Sequence, residues 1–166
     1  MRLYVAGPLF TQAERSWNER LAGALERAGH DVFLPQTEVK GIASLQADAI
    51  FAGDVDGVRS AEAVVAIMDG ADPDSGTCFE VGLAYALGLP IVLVRSDFRG
   101  GGDALPGQKV ATINLMLSQA AAAVVNLPDP GTSFESLASA VVASLHNLPT
   151  PAPITRTDRR SITGSW

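Results

Sequence analysis

One cysteine, two histidines and ten aromatic residues (six Phe, two Trp, two Tyr) are all that this chain of 166 residues holds of those types. The lone Cys78 has no partner for an internal disulfide. That fits a reducing compartment and an expectation of a cytoplasmic protein. His30 and His146 read as too few and too scattered for a metal site, and neither a metal nor an organic cofactor is expected. Basic clusters are scarce as well: 12 Lys and Arg face 18 Asp and Glu, for a net charge of −6. A broad nucleic-acid surface needs clustered cations, so that class is excluded. The one basic stretch, TRTDRRS at 155–161, reads as a solvated end. No apolar run approaches the roughly 18 residues needed to cross a bilayer, and no membrane partner is expected. The opening MRLYVAGPLF shows no cleavable signal pattern. A dinucleotide fingerprint is missing too, because RGGGD (99–103) does not open a helix after a strand and reads as a flexible loop.

What remains is rich in small apolar residues, which suits Ala-rich helices packed on β-branched strands. The length argues for one domain, within the usual span of about 100–200 residues. Strands are predicted at 2–7, 30–35, 62–68, 90–96 and 123–128, with helices at 11–29, 43–61, 77–88, 111–122 and 133–148. Thr11 is placed to cap the first helix and Gly29 to end it. QTEVKGI (36–42) reads as loop. This alternation predicts a doubly wound α/β fold, with five parallel strands and helices on both faces, over residues 1–148. Residues 149–166 are expected to be a Pro-rich extended tail. Right-handed crossovers then open a crevice at the carboxyl ends of the strands, where AGPLF, DGADPDSG and SDFRGGGD lie.

On that rim stands DPDSGTCFEVG (72–82). Its Glu80 has two readings. Thr77-Cys78-Phe79-Glu80 fits a capping box, in which the glutamate only closes a helix end. Yet Glu80, Leu83, Ala84 and Leu87 share one helical face, so the carboxylate travels with side chains that pack inward. A helix starting at Gly76 would set Glu80 one turn in, facing the crevice. The helix N-terminus would favour its ionised form and burial would oppose it. A poorly hydrated carboxylate there is a competent nucleophile. Asp54, Asp56, Asp69, Asp72 and Asp74 crowd the same region, and most loop aspartates cap turns. GDVDG (53–57) fails as a calcium loop because Val65 stands where the twelfth-position glutamate is needed. DPDSG fails as an aspartyl-phosphate motif on its distance from the strand and on Gly76. Cys78 has no histidine to activate it and reads as a packed residue.

YVAGPLF (4–10), PQTEVKG (35–41), GDVDGVRSAEAVVAIMDG (53–70), DSGTCFEVGLAYALGLPIVLV (74–94) and INLM (113–116) together resemble the nucleoside 2-deoxyribosyltransferase family. The resemblance runs in consistent order from residue 2 to about 125. It implies a flavodoxin-like fold and exchange of the base on a 2′-deoxynucleoside, so the expected partners are a 2′-deoxynucleoside and a free nucleobase. It implies Glu80 as nucleophile, Asp54 as the acid facing the base, and Tyr4 as the hydroxyl orienting Glu80. Asp74 is implied to bind a sugar hydroxyl, with Gln36 near the base and Gly7 among the substrate-binding positions. Asn114 and Met116 would complete a neighbouring subunit's site in a homo-oligomer, a dimer or hexamer. In some members an aromatic C-terminal residue reaches the site, and Trp166 ends this chain.

Two other functions compete. A related hydrolase would cleave deoxynucleoside 5′-monophosphates with water in place of the second base. For a phosphate the first loop offers only Thr11 and Arg15, which favours the transferase. A non-catalytic nucleotide-binding module would need no nucleophile at all.

Overall fold

The computed structural model describes residues 1–38, 46–97, 112–127, 129 and 131–148. The Gly-rich segment, the tail and Trp166 lie outside the described residues. The strands are β1 (Arg2–Ala6), β2 (Asp31–Phe33), β3 (Ala63–Ile67), β4 (Ile91–Arg95) and β5 (Ala123–Asn126). The helices are α1 (Gln12–Arg27), α2 (Pro35–Glu38), α3 (Ala47–Ser60), α4 (Ser75–Ala86), α5 (Leu115–Ala120) and α6 (Phe134–His146). All strand pairs are parallel, in the order β2-β1-β3-β4-β5. This is the doubly wound order of flavodoxin-like proteins, and the chain's winding reverses between β1 and β3.

Strand alternation sorts the core into two layers. Leu3, Val5, Val65 and Ile67 meet Leu21 and Leu25 of α1 and Leu137 and Val141 of α6. Tyr4, Ala6, Val64 and Ala66 meet Val58 of α3 and Val81 and Ala84 of α4. Strands β3 and β4 are buried along their whole length, which explains why AVVAI and IVLVR read as continuous apolar runs rather than alternating ones.

Thr11 caps α1 through a complete capping box with Glu14. Other elements depart from expectation. Pro35, read as the end of a strand, and residues 36–38, read as loop, form the short helix α2; Pro35 sits at its first position, where a missing N–H costs nothing. Helix α5 begins only at Leu115, because the Asn114 side chain accepts from the Met116 N–H and starts the helix there. Tyr4 lies in the middle of β1. The two histidines are not scattered: β2 and the end of α6 bring the rings of His30 and His146 to 6.2 Å. Burial, then the N-terminal amino group and His146, hold His30 below its ordinary pKa. Among the described residues, no group of three or more His, Cys, Asp or Glu could hold a metal ion. No described helix is long and apolar enough to cross a membrane.

Candidate active site

Helix α4 decides between the two candidate caps. Asp74, not Thr77, is the cap: its Oδ2 accepts from the Thr77 N–H at 2.8 Å and from the Thr77 hydroxyl at 3.1 Å. The Thr77–Glu80 capping box is therefore not formed. Pro73 and Asp74 bring the start of α4 forward to Ser75, and Glu80 falls more than one turn inside the helix. There its Oε1 accepts a 2.5 Å hydrogen bond from the Tyr4 hydroxyl.

Tyr4 is held by its own surroundings. It is wholly buried, its ring stacks on Phe33 at 5.4 Å and 14°, and Gly57 of α3 lies over it. A Cβ at Gly57 would come within 2.9 Å of both rings, so this glycine of GDVDG makes room for a tyrosine. Burial and the charge of Glu80 raise the Tyr4 pKa far out of reach, so the phenol stays a donor.

Burial pushes the Glu80 pKa up to about 7; the Tyr4 hydrogen bond pulls it down, while Asp54 and Asp74 push it up. Asp54 is itself raised by burial. Burial thus raises two carboxyl groups on different helices, and Asp54 and Glu80 line one pocket of about 130 Å³ between α3 and α4. A larger groove of about 500 Å³ runs between α1 and α6, but neither carboxyl lines it. The carboxyl pair lies in the smaller one.

The other expected residues are distributed around this pair. Asp74 is close enough to raise Glu80 while capping the helix that carries it. Gly7 opens the loop after β1, where a Cβ would stand 2.9 Å from Ile67 Cδ1, so only a glycine fits without displacement. Gln36 is 7% exposed and its amide is engaged with α1. Its Nε2 donates to the Arg15 carbonyl and to Glu19, and its Oε1 accepts from Asn18. Asn114 and Met116 stand at the surface, Met116 77% exposed. Cys78 is partly buried and its thiol pKa is raised by burial and then by Asp74 and Asp72, the opposite of an activated nucleophile.

One feature was missed. Arg95, at the end of an apolar strand, is fully buried; it donates to the carbonyls of Met68 and Gly70 and pairs with Asp97 at 2.8 Å. Asp97 accepts from the Gly70 N–H, and Asp69 accepts from Ser96 and the Asp97 N–H. The exits of β3 and β4 are thereby tied together beneath the loop that leads to Asp74. Phe51 and Phe79 also line the pocket, exposed aromatics in a chain with few of them.

Fold and site together define a doubly wound α/β protein with a protonatable carboxyl pair beside its switch-point crevice. The nucleoside 2-deoxyribosyltransferase family model matches residues 3–116, more than half of the chain, and the chain belongs to that family. A 2-deoxyribosyltransferase from Leishmania mexicana superposes with a TM-score of 0.62 at 24% identity, covering 89% of this chain and 99% of that one. One from Bacillus psychrosaccharolyticus gives 0.60 at 23%, covering 82% and 96%. A CMP N-glycosidase from Clostridium botulinum gives 0.55 at 18%, covering 88% and 98%. At these identities the likeness shows the fold. No curated protein matches the sequence significantly.

Proposed function

We propose that the protein transfers a 2-deoxyribosyl group between nucleobases, in nucleoside salvage, through a deoxyribosyl ester on Glu80. The observation that carries the reading is the Tyr4–Glu80 hydrogen bond beside a second, raised carboxyl group. Ionised Glu80 attacks C1′ through one oxygen as the C1′–N bond breaks. The departing pair goes to the base nitrogen, and protonated Asp54 supplies the proton. An incoming base then attacks C1′ from the vacated side, Asp54 takes its proton, and the ester bond returns its electrons to Glu80. Two inversions retain the anomeric configuration, as in retaining glycosidases. Tyr4 holds the attacking carboxylate in one orientation throughout, which lowers the cost of reaching the reactive geometry.

Asp74 binds a sugar hydroxyl, Gly7 is among the substrate-binding positions, and Gln36 lies near the base. Asn114 and Met116, both at the surface, reach the site of a neighbouring subunit in a homo-oligomer. For the hydrolytic alternative on 5′-monophosphates, the first loop offers donors that are partly engaged in the fold. Arg15 donates to the carbonyls of Leu9 and Phe10, and Thr11 caps α1.

Incubation of deoxyinosine with free adenine or cytosine should yield a new deoxynucleoside. Release of free base and deoxyribose alone, at every acceptor concentration, would establish the hydrolase instead. A 2-fluoro substrate analogue should leave a sugar mass on Glu80 and none on the Glu80→Ala protein. A mere binding module would gain no mass and would keep its ligand after Glu80→Ala.

A further inference from the structure

Among the described residues, the charged side chain most fully withdrawn from water is Arg95, 0% exposed at the end of β4, and the chemistry leaves it unused. Its place explains its contacts. Backbone pairing of β3 with β4 runs as far as the Met68 N–H, which donates to the Val94 carbonyl at 2.8 Å. Beyond that point side chains take over. Arg95 Nη1 donates to the Met68 carbonyl at 3.0 Å and Nη2 to the Gly70 carbonyl at 2.8 Å, giving buried backbone acceptors the donors they need. Asp97 Oδ1 pairs with the same Nη2 at 2.8 Å, while its Oδ2 accepts from the Gly70 N–H at 2.8 Å. Asp69 completes the brace by accepting from the Ser96 N–H and hydroxyl.

A buried ion pair is a weak source of stability, because desolvation offsets the attraction. What a guanidinium adds is geometry, a planar fork that fixes several acceptors at once. Here the fork holds Gly70 from both its carbonyl and, through Asp97, its N–H. From Gly70 the chain runs through Ala71, Asp72 and Pro73 to Asp74 with little slack. Gly70 has a φ of +111°, and a Cβ there would meet the Asp72 carbonyl at 3.2 Å. Pro73 fixes its own φ. Asp74 then starts α4, taking the Thr77 N–H on its side chain and the Cys78 N–H on its carbonyl. Further along the same helix, Glu80 meets Tyr4. A shift of Gly70 therefore reaches Asp74 and turns the helix that carries Glu80.

We infer that Arg95 is a positioning residue: through Gly70 it sets where Asp74 and the first turn of α4 stand, and so aims Glu80 at the sugar. The functional half of this inference rests on the glycosyl-transfer reading of Glu80.

Arg95→Lys keeps a positive charge beside Asp97, but one ammonium cannot span two carbonyls and a carboxylate as the fork does. Below the melting temperature of every variant, its kcat/KM for deoxyinosine with adenine as acceptor should fall about 10–100-fold through misplacement. In an Asp74→Ala background the same change should cost under about threefold, because the link it acts through is already gone. A merely structural arginine would cost the same in both backgrounds, and that result would overturn the inference. Amide hydrogen exchange reads the link without turnover. Arg95→Lys should speed exchange at the Thr77 and Cys78 N–H groups and leave the Leu21 and Leu25 amides of α1 unchanged. Exchange rising equally in α1, or a lower melting point with the wild-type rate, would also overturn it. Should Arg95→Lys fail to fold, Asp69→Ala, which removes only the ties to Ser96 and Asp97, is read in the same cycle with a loss of about 3–10-fold. If the wild-type protein transfers nothing while the α4 amides still respond, the transfer reading fails and the brace stands. If it transfers and neither rate nor exchange responds, the brace alone fails.

Discussion

A carboxyl group whose pKa rises from 4.5 to about 7 on folding is a cost that the fold carries for its site. The sign follows from proton linkage. Below pH 4.5 Glu80 is protonated in both folded and unfolded chains and imposes no penalty. As pH rises towards 7 the unfolded chain releases its proton first, and stability falls by about 2–3 kcal/mol across that window. Glu80→Gln should abolish turnover, yet melt at a higher temperature than the wild type at pH 8, with the difference vanishing near pH 4.5. Calorimetry at the two pH values checks this. Tyr4 works in the other direction, since its hydrogen bond lowers the Glu80 pKa. Tyr4→Phe should shift the acid limb of the pH–kcat/KM profile to higher pH and reduce kcat. An unshifted limb would mean that the phenol does not govern the ionisation of the nucleophile.

Among elements, the α3–β1 contact is the tightest constraint on the site, because Gly57 lies over the Tyr4 and Phe33 rings. Gly57→Ala should cost about 1–3 kcal/mol through overpacking, read as a lower denaturation midpoint. It should also reduce kcat by displacing the Tyr4 ring. The order of elements and the inward face of α4 were legible in the sequence, because the Glu80, Leu83, Ala84 and Leu87 spacing is local. The cap was not, since Asp74 and Thr77 are both good caps three residues apart and only the start of the helix decides between them. Arg95 was illegible for a different reason. Its main partners are backbone carbonyls of β3's exit, and a charge ending a strand reads as surface. The Phe51–Phe79 contact joins two helices with β3 between them in the chain, and no periodicity rule links such positions.

For the whole molecule, the open apolar residues Tyr85, Leu115 and Met116, 65%, 40% and 77% exposed, sit on or beside the α4–α5 layer. An interface between copies there would join assembly to activity. Met116→Glu should lower the mass measured by light scattering and the transfer rate together, while Met116→Leu should spare both. Loss of mass with full activity would show each subunit to be sufficient alone.

Asp54 sits on α3 and Glu80 on α4, with a wholly buried strand between them in the chain. For the proposed transfer, that separation makes the catalyst modular. A library confined to the outward positions of α3 could retune which heterocycle departs without touching the helix that forms the bond to the sugar.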